Sequence, residues 1–329
     1  MSDEKITKSY QNTTLWDKFK EKTGGDTCFS SAVEKICTAG ENLSETIITF
    51  FPTFTFHNAT HIQGVCYWMA ELLGEHIDKL TAEEAAMLLM AACWHDSGMS
   101  VENAEREELF KRISDGKSEQ WRNDIVFFEY FEKHPGDANA YYDDENARER
   151  IIRNYVREHH HERARKKLRF LKWPQELTNM SISCDLIADL CQSHSEPLDI
   201  RTPVSENIDF ELCAILLRLA DILDFDAGRA PDTLFKHLGL DTPQTGEEKI
   251  SSIEFQKNKS GRFKIENNND DLIYIAQCDD PNIENGILDY LKWGEKELND
   301  CREILNRCND RWKEFKLPYL KKPNIVRNG

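Results

Sequence analysis

Three fragments hold the residues most able to do chemistry: His61, the adjacent pair His95 and Asp96, and Asp221. Residues 85–94 (AAMLLMAACW) run without a polar side chain straight into His95-Asp96, and Asp221 follows the apolar-rich stretch 212–220 (LCAILLRLA). A carboxylate in such surroundings loses its hydration. Left unpaired it costs several kcal/mol, or its pKa rises until it is neutral. Two acids at the edges of two such runs therefore need a strong positive partner. A divalent metal supplies one, and nearby histidines are the co-ligands it would need.

The elements that must carry these residues read as helices. The chain has 329 residues, enough for one large domain plus a smaller one. Apolar residues at 33, 36, 43 and 47 predict a helix over 28–50, stopped by Pro52. Asn58 or Thr60 can cap a helix over 61–75. Thr81 and Glu84 form a capping-box pattern opening the apolar helix that ends at Trp94, and Gly98 lies where a C-terminal cap belongs. Further helices are expected over 102–114, 119–133, 144–169, 180–194 and 208–227. No βαβ alternation and no glycine-rich phosphate loop is present, which argues against a Rossmann or P-loop site.

The texture changes near residue 240. Residues 250–256, 262–267 and 272–278 read as three short strands, followed by a long helix over 283–315. The expected fold class is therefore mainly α, a helical bundle with a small antiparallel β element and a long C-terminal helix. The expected division is a loose polar lead-in (1–27), a helical metal-site domain (28–240), and a β-plus-helix region (241–329) that could act as lid, dimer seam or linker. The tail (LPYLKKPNIVRNG) reads as irregular, and the chain is expected to continue past Gly329.

Composition narrows the function classes. The ten cysteines form no CxxC pair, which fits a reducing cytoplasmic setting and argues against a thiolate zinc site. The apolar runs are shorter than a membrane span, and the N-terminus lacks the apolar core of a secretory signal. The net charge of −17 disfavours general nucleic-acid binding. One segment runs against that balance: eight Arg and Lys residues fall between Arg153 and Lys172, a patch expected to attract phosphate or, more plainly, to be a solvated helix face.

Taken together, His61 in HNATHIQGV, His95-Asp96 in AACWHDSGM, His160 in YVREHHHER, His194 in LCQSHSE and Asp221 in LLRLADILD resemble the HD-domain superfamily of metal-dependent phosphohydrolases over residues 45–235. In detail the pattern is most similar to HD domains that precede GHKL-type ATPase modules, the ATPase fold of heat-shock chaperones. The GYP stretch of HD-GYP phosphodiesterases is absent.

The resemblance implies one or two divalent ions (Mn, Fe, Co, Ni, Zn or Mg). One would take His61, His95, Asp96 and Asp221; the other would share Asp96 and take His160 and His194, with His161 the alternative to His160. Two ions about 3.5–4 Å apart can activate a water and clamp a phosphate. Arg163 lies three residues after His160 and Arg218 three before Asp221. Either could neutralise phosphoryl charge or form a plain salt bridge. His57, four residues before His61, could protonate a leaving group or sit in a surface loop, and Asp224 could orient a ligand. The expected activity is hydrolysis of a phosphorylated small molecule or nucleotide. The competing readings are a nucleotide-binding regulator of an attached or partner ATPase and a single-strand nuclease. A homodimer through the long helix is a further expectation.

Overall fold

The computed structural model describes residues 9–114, 130–137, 145–195, 205–267 and 269–327. The predicted helix over 119–133 lies largely outside the described residues. Numbered in chain order, the helices are α1 (Thr14–Lys22), α2 (Thr27–Ser44), α3 (Ile47–Phe50), α4 (Ala59–Leu73), α5 (Ala82–Trp94), α6 (Asn103–Ser114), α7 (Glu145–Glu158), α8 (His160–Arg169), α9 (Gln175–Asn179), α10 (Cys184–Ser193), α11 (Phe210–Leu223), α12 (Asp232–His237), α13 (Gly246–Ser260) and α14 (Pro281–Leu305). The strands are β1 (Gly261–Glu266), β2 (Asp271–Gln277), β3 (Tyr319–Leu320) and β4 (Asn324–Val326). A mainly α architecture is what the hydrophobic periodicity predicts.

Helix α5 is the axis of the bundle. Thr81 and Glu84 close the predicted capping box, and every residue from 84 to 94 is buried, so this helix is apolar all round because it is surrounded. Helices α1, α2, α10 and α11 pack on it. Truncating a fully buried residue such as Leu89 to Ala would cost about 2–5 kcal/mol. Glu84 is itself fully buried. It accepts from the Asp209 backbone N–H (2.9 Å) and pairs with Arg311, tying the starts of α5 and α11 to the C-terminal region.

Several expectations are corrected. Residues 10–22 are no loose lead-in: Thr13 caps α1, and Tyr10, Leu15 and Phe19 are buried in the main core. Residues 250–256 are helical, not a strand, because a second capping box at Thr245 and Glu248 opens α13 and Phe255 packs inward with Phe235 and Leu240. The helix expected over 144–169 breaks at His159 into α7 and α8. The tail is not wholly irregular. While β1 and β2 pair antiparallel, β3 and β4 both run parallel to β2, so the sheet is mixed. The long helix α14 ends at Leu305 and packs against α11 and α13, burying Ile283, Ile287, Leu291 and Leu298.

Two glycines set how closely the site-bearing elements approach. A Cβ at Gly64 on α4 would lie 2.0 Å from Asp224 Oδ1. One at Gly98 would lie 1.7 Å from the His160 carbonyl oxygen. Gly98 thus lets α8 close onto the turn after α5, rather than acting as the positive-φ helix cap expected of it.

Candidate metal centre

Helix ends deliver nearly all of the chemistry-bearing residues to one place. His61 enters from the first turn of α4, whose N-terminus Asn58 caps. His95 and Asp96 leave the C-terminal end of α5, His194 caps the C-terminal end of α10, and His160 follows the break that ends α7. Asp221 lies in the last turn of α11. His61 Nε2 lies 3.1 Å from His95 Nε2 and 3.2 Å from Asp221 Oδ1. His160 Nε2 lies 3.0 Å from His194 Nε2. Two groups result, His61–His95–Asp221 and Asp96–His160–His194, the donor atoms of each lying within 4.8 Å of one another. Asp96 reaches both: its Oδ2 is 3.1 Å from His95 Nε2 and 3.4 Å from His61 Nε2, and its Oδ1 is 3.8 Å from His160 Nε2.

The far side of each ring decides what the near side can do. His61 Nδ1 faces Asp224 Oδ2 at 2.6 Å, His95 Nδ1 the Ala92 carbonyl at 2.9 Å, and His160 Nδ1 the Arg157 carbonyl at 2.6 Å. His194 Nδ1 faces the Cys191 carbonyl. Each Nδ1 therefore donates its proton to an oxygen, and in the neutral tautomer each Nε2 presents a lone pair inward. Three of the four acceptors are carbonyls three residues earlier in the last turn of a helix, which lack intrahelical partners. Four converging imidazole lone pairs and two carboxylates fit a borderline or hard divalent cation. The outer acceptors fix ring orientation, as metal-ligating histidines require.

Electrostatics gives the same account. Burial and Arg229 press the pKa of His61 down, but hydrogen bonds to Asp221, Asp224 and Asp96 outweigh them and hold it at about 10. Burial likewise opposes protonation of His95, yet Asp96 raises its pKa. Against the penalty of burial, Asp96 is held well below the usual carboxylate range by His95 and His61, and Asp221 is also lowered, chiefly by His61. The acids thus draw positive charge to themselves, either as protons on His61 and His95 or as a cation in their place. His194 is pushed down to about 3 by burial and then by His160 and His95, and burial also lowers His160.

A family model named HD-CE matches residues 51–300, three-quarters of the chain, and takes in all of the elements just described. The chain belongs to the HD-CE family. The match bears out the HD-type reading and carries no statement about a following ATPase module. No curated protein and no solved structure matches this HD-CE chain.

Within the HD-CE fold the six candidate ligands His61, His95, Asp96, His160, His194 and Asp221 come together, and the histidine triplet divides its tasks. His159 stacks on Tyr155 at 4.7 Å, His161 faces Ser195 Oγ at 3.3 Å, and His160 turns inward. Asp224 takes the orienting position expected of it. Both arginines expected at the phosphoryl group are engaged elsewhere. Arg163 donates to the Gly98 and Ser100 carbonyls and to Glu105, fastening α8 to the segment after α5. Arg218 donates to the Ser193 carbonyl and to Glu297 on α14.

His57, named as a leaving-group proton donor or a loop residue, has both ring nitrogens engaged within the protein. Its Nδ1 donates to the Thr55 carbonyl (2.7 Å), and its Nε2 accepts from Arg229 (3.2 Å). Burial and Arg229 lower its pKa to about 3, so it is neutral at ordinary pH. Half of the basic segment is paired with acids: Arg153 with Glu149, Arg163 with Glu105, Arg165 with Asp189, and Arg169 with Asp185. Sequence reasoning missed Arg229, which touches His57, the Asp224 carbonyl and the Phe56 carbonyl. Its position five residues after Asp224 in an irregular stretch offered no periodic signal.

Proposed function

We propose that this HD-CE chain is a metal-dependent phosphohydrolase that cleaves a phosphomonoester or phosphodiester, with a nucleotide as the leading substrate class. One observation carries the reading: four Nε2 lone pairs and both oxygens of Asp96 are pre-aimed at two adjoining points, with every supporting Nδ1 already bonded. His61, His95 and Asp221 would hold one divalent ion, His160 and His194 the other, and Asp96 would bridge them. Bound divalent ions supply Lewis-acid polarisation of a phosphoryl oxygen and a water of lowered pKa.

The protein's own groups do the rest. Asp224, the three helix-end carbonyls and the close approach at Gly98 keep the ligand set in place. Arg229 and Thr55 hold His57 neutral beside His61, the two ring centroids 5.7 Å apart, so that His57 adds no positive charge of its own to that of Arg229. Asp221, its side chain 27 % exposed, is the solvent-facing ligand, while His61 and His95 are at 1 %. A phosphoester would therefore approach from the Asp221 side.

The test is metal content by elemental analysis together with turnover on a panel of nucleotides and generic phosphoesters in Mn, Co, Ni, Zn and Mg. One to two ions per chain and hydrolysis of at least one substrate are expected. Tight nucleotide binding without turnover in any metal would move the assignment to a regulatory module, whose partner would be an attached GHKL-type ATPase. Stoichiometric metal retained after Asp96→Ala would overturn the ligand assignment.

A further inference from the structure

Along α4, next to the metal centre, lies a cavity of about 670 Å³ that none of the six candidate ligands lines. Its size falls within the roughly 300–1,000 Å³ of small-molecule sites. Four stretches wall it: residues 12–14 at the start of α1, one face of α4, the segment 224–229 after α11, and β1. The segment read as a loose lead-in and the β element of uncertain purpose thus meet here.

The lining is sorted by chemistry. Tyr67 on α4 is 50 % exposed, an uncommon state for so large a ring, and its hydroxyl is held by Glu71. Trp68 stands beside it at 5.4 Å and is itself backed edge-on by Phe263 of β1 at 6.5 Å. Arg262 on β1 faces Tyr67, and no acid of the described residues pairs with it; Lys264 follows on the same strand face, its ammonium at 2.7 Å from Glu266 on an exposed stretch. At the opposite wall Asp226 uses Oδ1 for the Gly228 N–H, which leaves Oδ2 for another donor. Thr60 lies against this same segment, close to Gly228, and Gln63 also lines the cavity. A planar ring platform, a cation pair at one end and a carboxylate at the other match a base, a phosphate and a hydroxyl-rich sugar in turn.

We propose that this cavity is a second ligand site that takes a nucleotide, its base over Tyr67, its phosphate on Arg262 and Lys264, and its sugar hydroxyls toward Asp226. The site goes beyond the hydrolytic reading and does not depend on it. It is joined to the metal centre by two shared residues. Asp224 lines the cavity and holds His61, and Arg229 lines the cavity and holds His57. An occupant therefore touches the outer supports of the first metal group without touching a ligand.

The experiment is isothermal titration calorimetry of the chelator-stripped full chain with AMP, GMP and ATP, run alongside Tyr67→Ala, Arg262→Glu and Asp96→Ala, each checked by circular dichroism to be folded at the titration temperature. At least one nucleotide is expected to bind metal-free wild type. Tyr67→Ala and Arg262→Glu should each weaken that binding about ten-fold or more, while Asp96→Ala should leave it unchanged. Three outcomes overturn the proposal: no binding by any of the three nucleotides, binding indifferent to both cavity substitutions, or binding lost in Asp96→Ala alone. The last would put the nucleotide on the metal centre and leave the hydrolytic reading intact. Absence of hydrolysis combined with cavity binding would do the reverse.

Discussion

His61 and His95 face two carboxylates, and their pKa values are pushed up; His160 and His194 face each other across Asp96's far oxygen, and theirs are pushed down. Both pairs are oriented by the same device, an oxygen on Nδ1. The difference lies in what each must give up to receive a cation. The first pair holds protons more tightly than free imidazole, His61 most of all, and a metal has to displace them, whereas the second pair has given them up more readily. Ligand type alone does not set affinity: the count of acids within hydrogen-bond reach sets the proton competition.

The largest effect should come from the residue the two groups share. Asp96→Ala should strip both ions and reduce turnover to background, read by elemental analysis and by hydrolysis of whichever phosphoester the wild type accepts. Removing one partner of the second pair is narrower: His194→Ala should lower the metal content by one ion per chain while the first group stays loaded. If that variant lost all of its metal, the two groups would be a single cooperative site and the comparison would fail.

These side chains were legible for a physical reason. A carboxylate at the end of a fully apolar run has few ways to stay ionised, so Asp96 and Asp221 announced a cationic partner, and Asp224 followed from helical spacing. The family pattern then supplied His160 and His194. What local pattern cannot carry is long-range partnership. Arg163 and Arg218 share helical faces with ligands, yet Glu105 and Glu297 claim them, and neither acid lies near them in sequence. The strand expected over 250–256 is a helix because the Thr-x-x-Glu cap at 245–248 outweighs the apolar alternation that follows it. The lead-in expected over 1–27 rests on polarity alone, although Leu15 and Phe19 stand four apart behind a Thr cap. The parallel pairing of β3 and β4 depends on β2 as a template, and two- and three-residue strands leave no periodicity to read.

A subtler change sharpens the contrast between the halves. Asp224→Asn keeps the shape beside Gly64 but removes the charge behind His61, and should weaken metal binding in the first group about 10- to 100-fold while sparing the second. Competition titrations with a chromophoric chelator would show it; equal weakening of both sites would break the distinction.

The smallest effects are those of pH on the metal-free protein. His61, with a folded pKa near 10 against an ordinary 6.5, contributes stability that is complete below 6.5 and is lost as pH rises through 10. Metal-free protein should therefore melt at progressively lower temperature from pH 7 toward 10, and added divalent metal should abolish the decline. His57 and His194, both near 3, act in the opposite sense: the unfolded chain takes up protons there first, so stability falls as pH drops from 6.5 toward 3. A melting profile that was flat on the alkaline side would contradict the proton loading assigned to the first pair.

The helix ends that supply oxygens to His95, His160 and His194 have a consequence for the order of events. A helix C-terminus carries roughly half a negative charge, and those of α5, α7 and α10 all meet the same small volume as Asp96 and Asp221. Without metal, the protons held by His61 and the charge of nearby Arg229 are what offset those carbonyl ends and the carboxylates. Divalent cations add more positive charge than the protons they displace, so on the hydrolytic reading an anionic substrate should bind better after metal than before it.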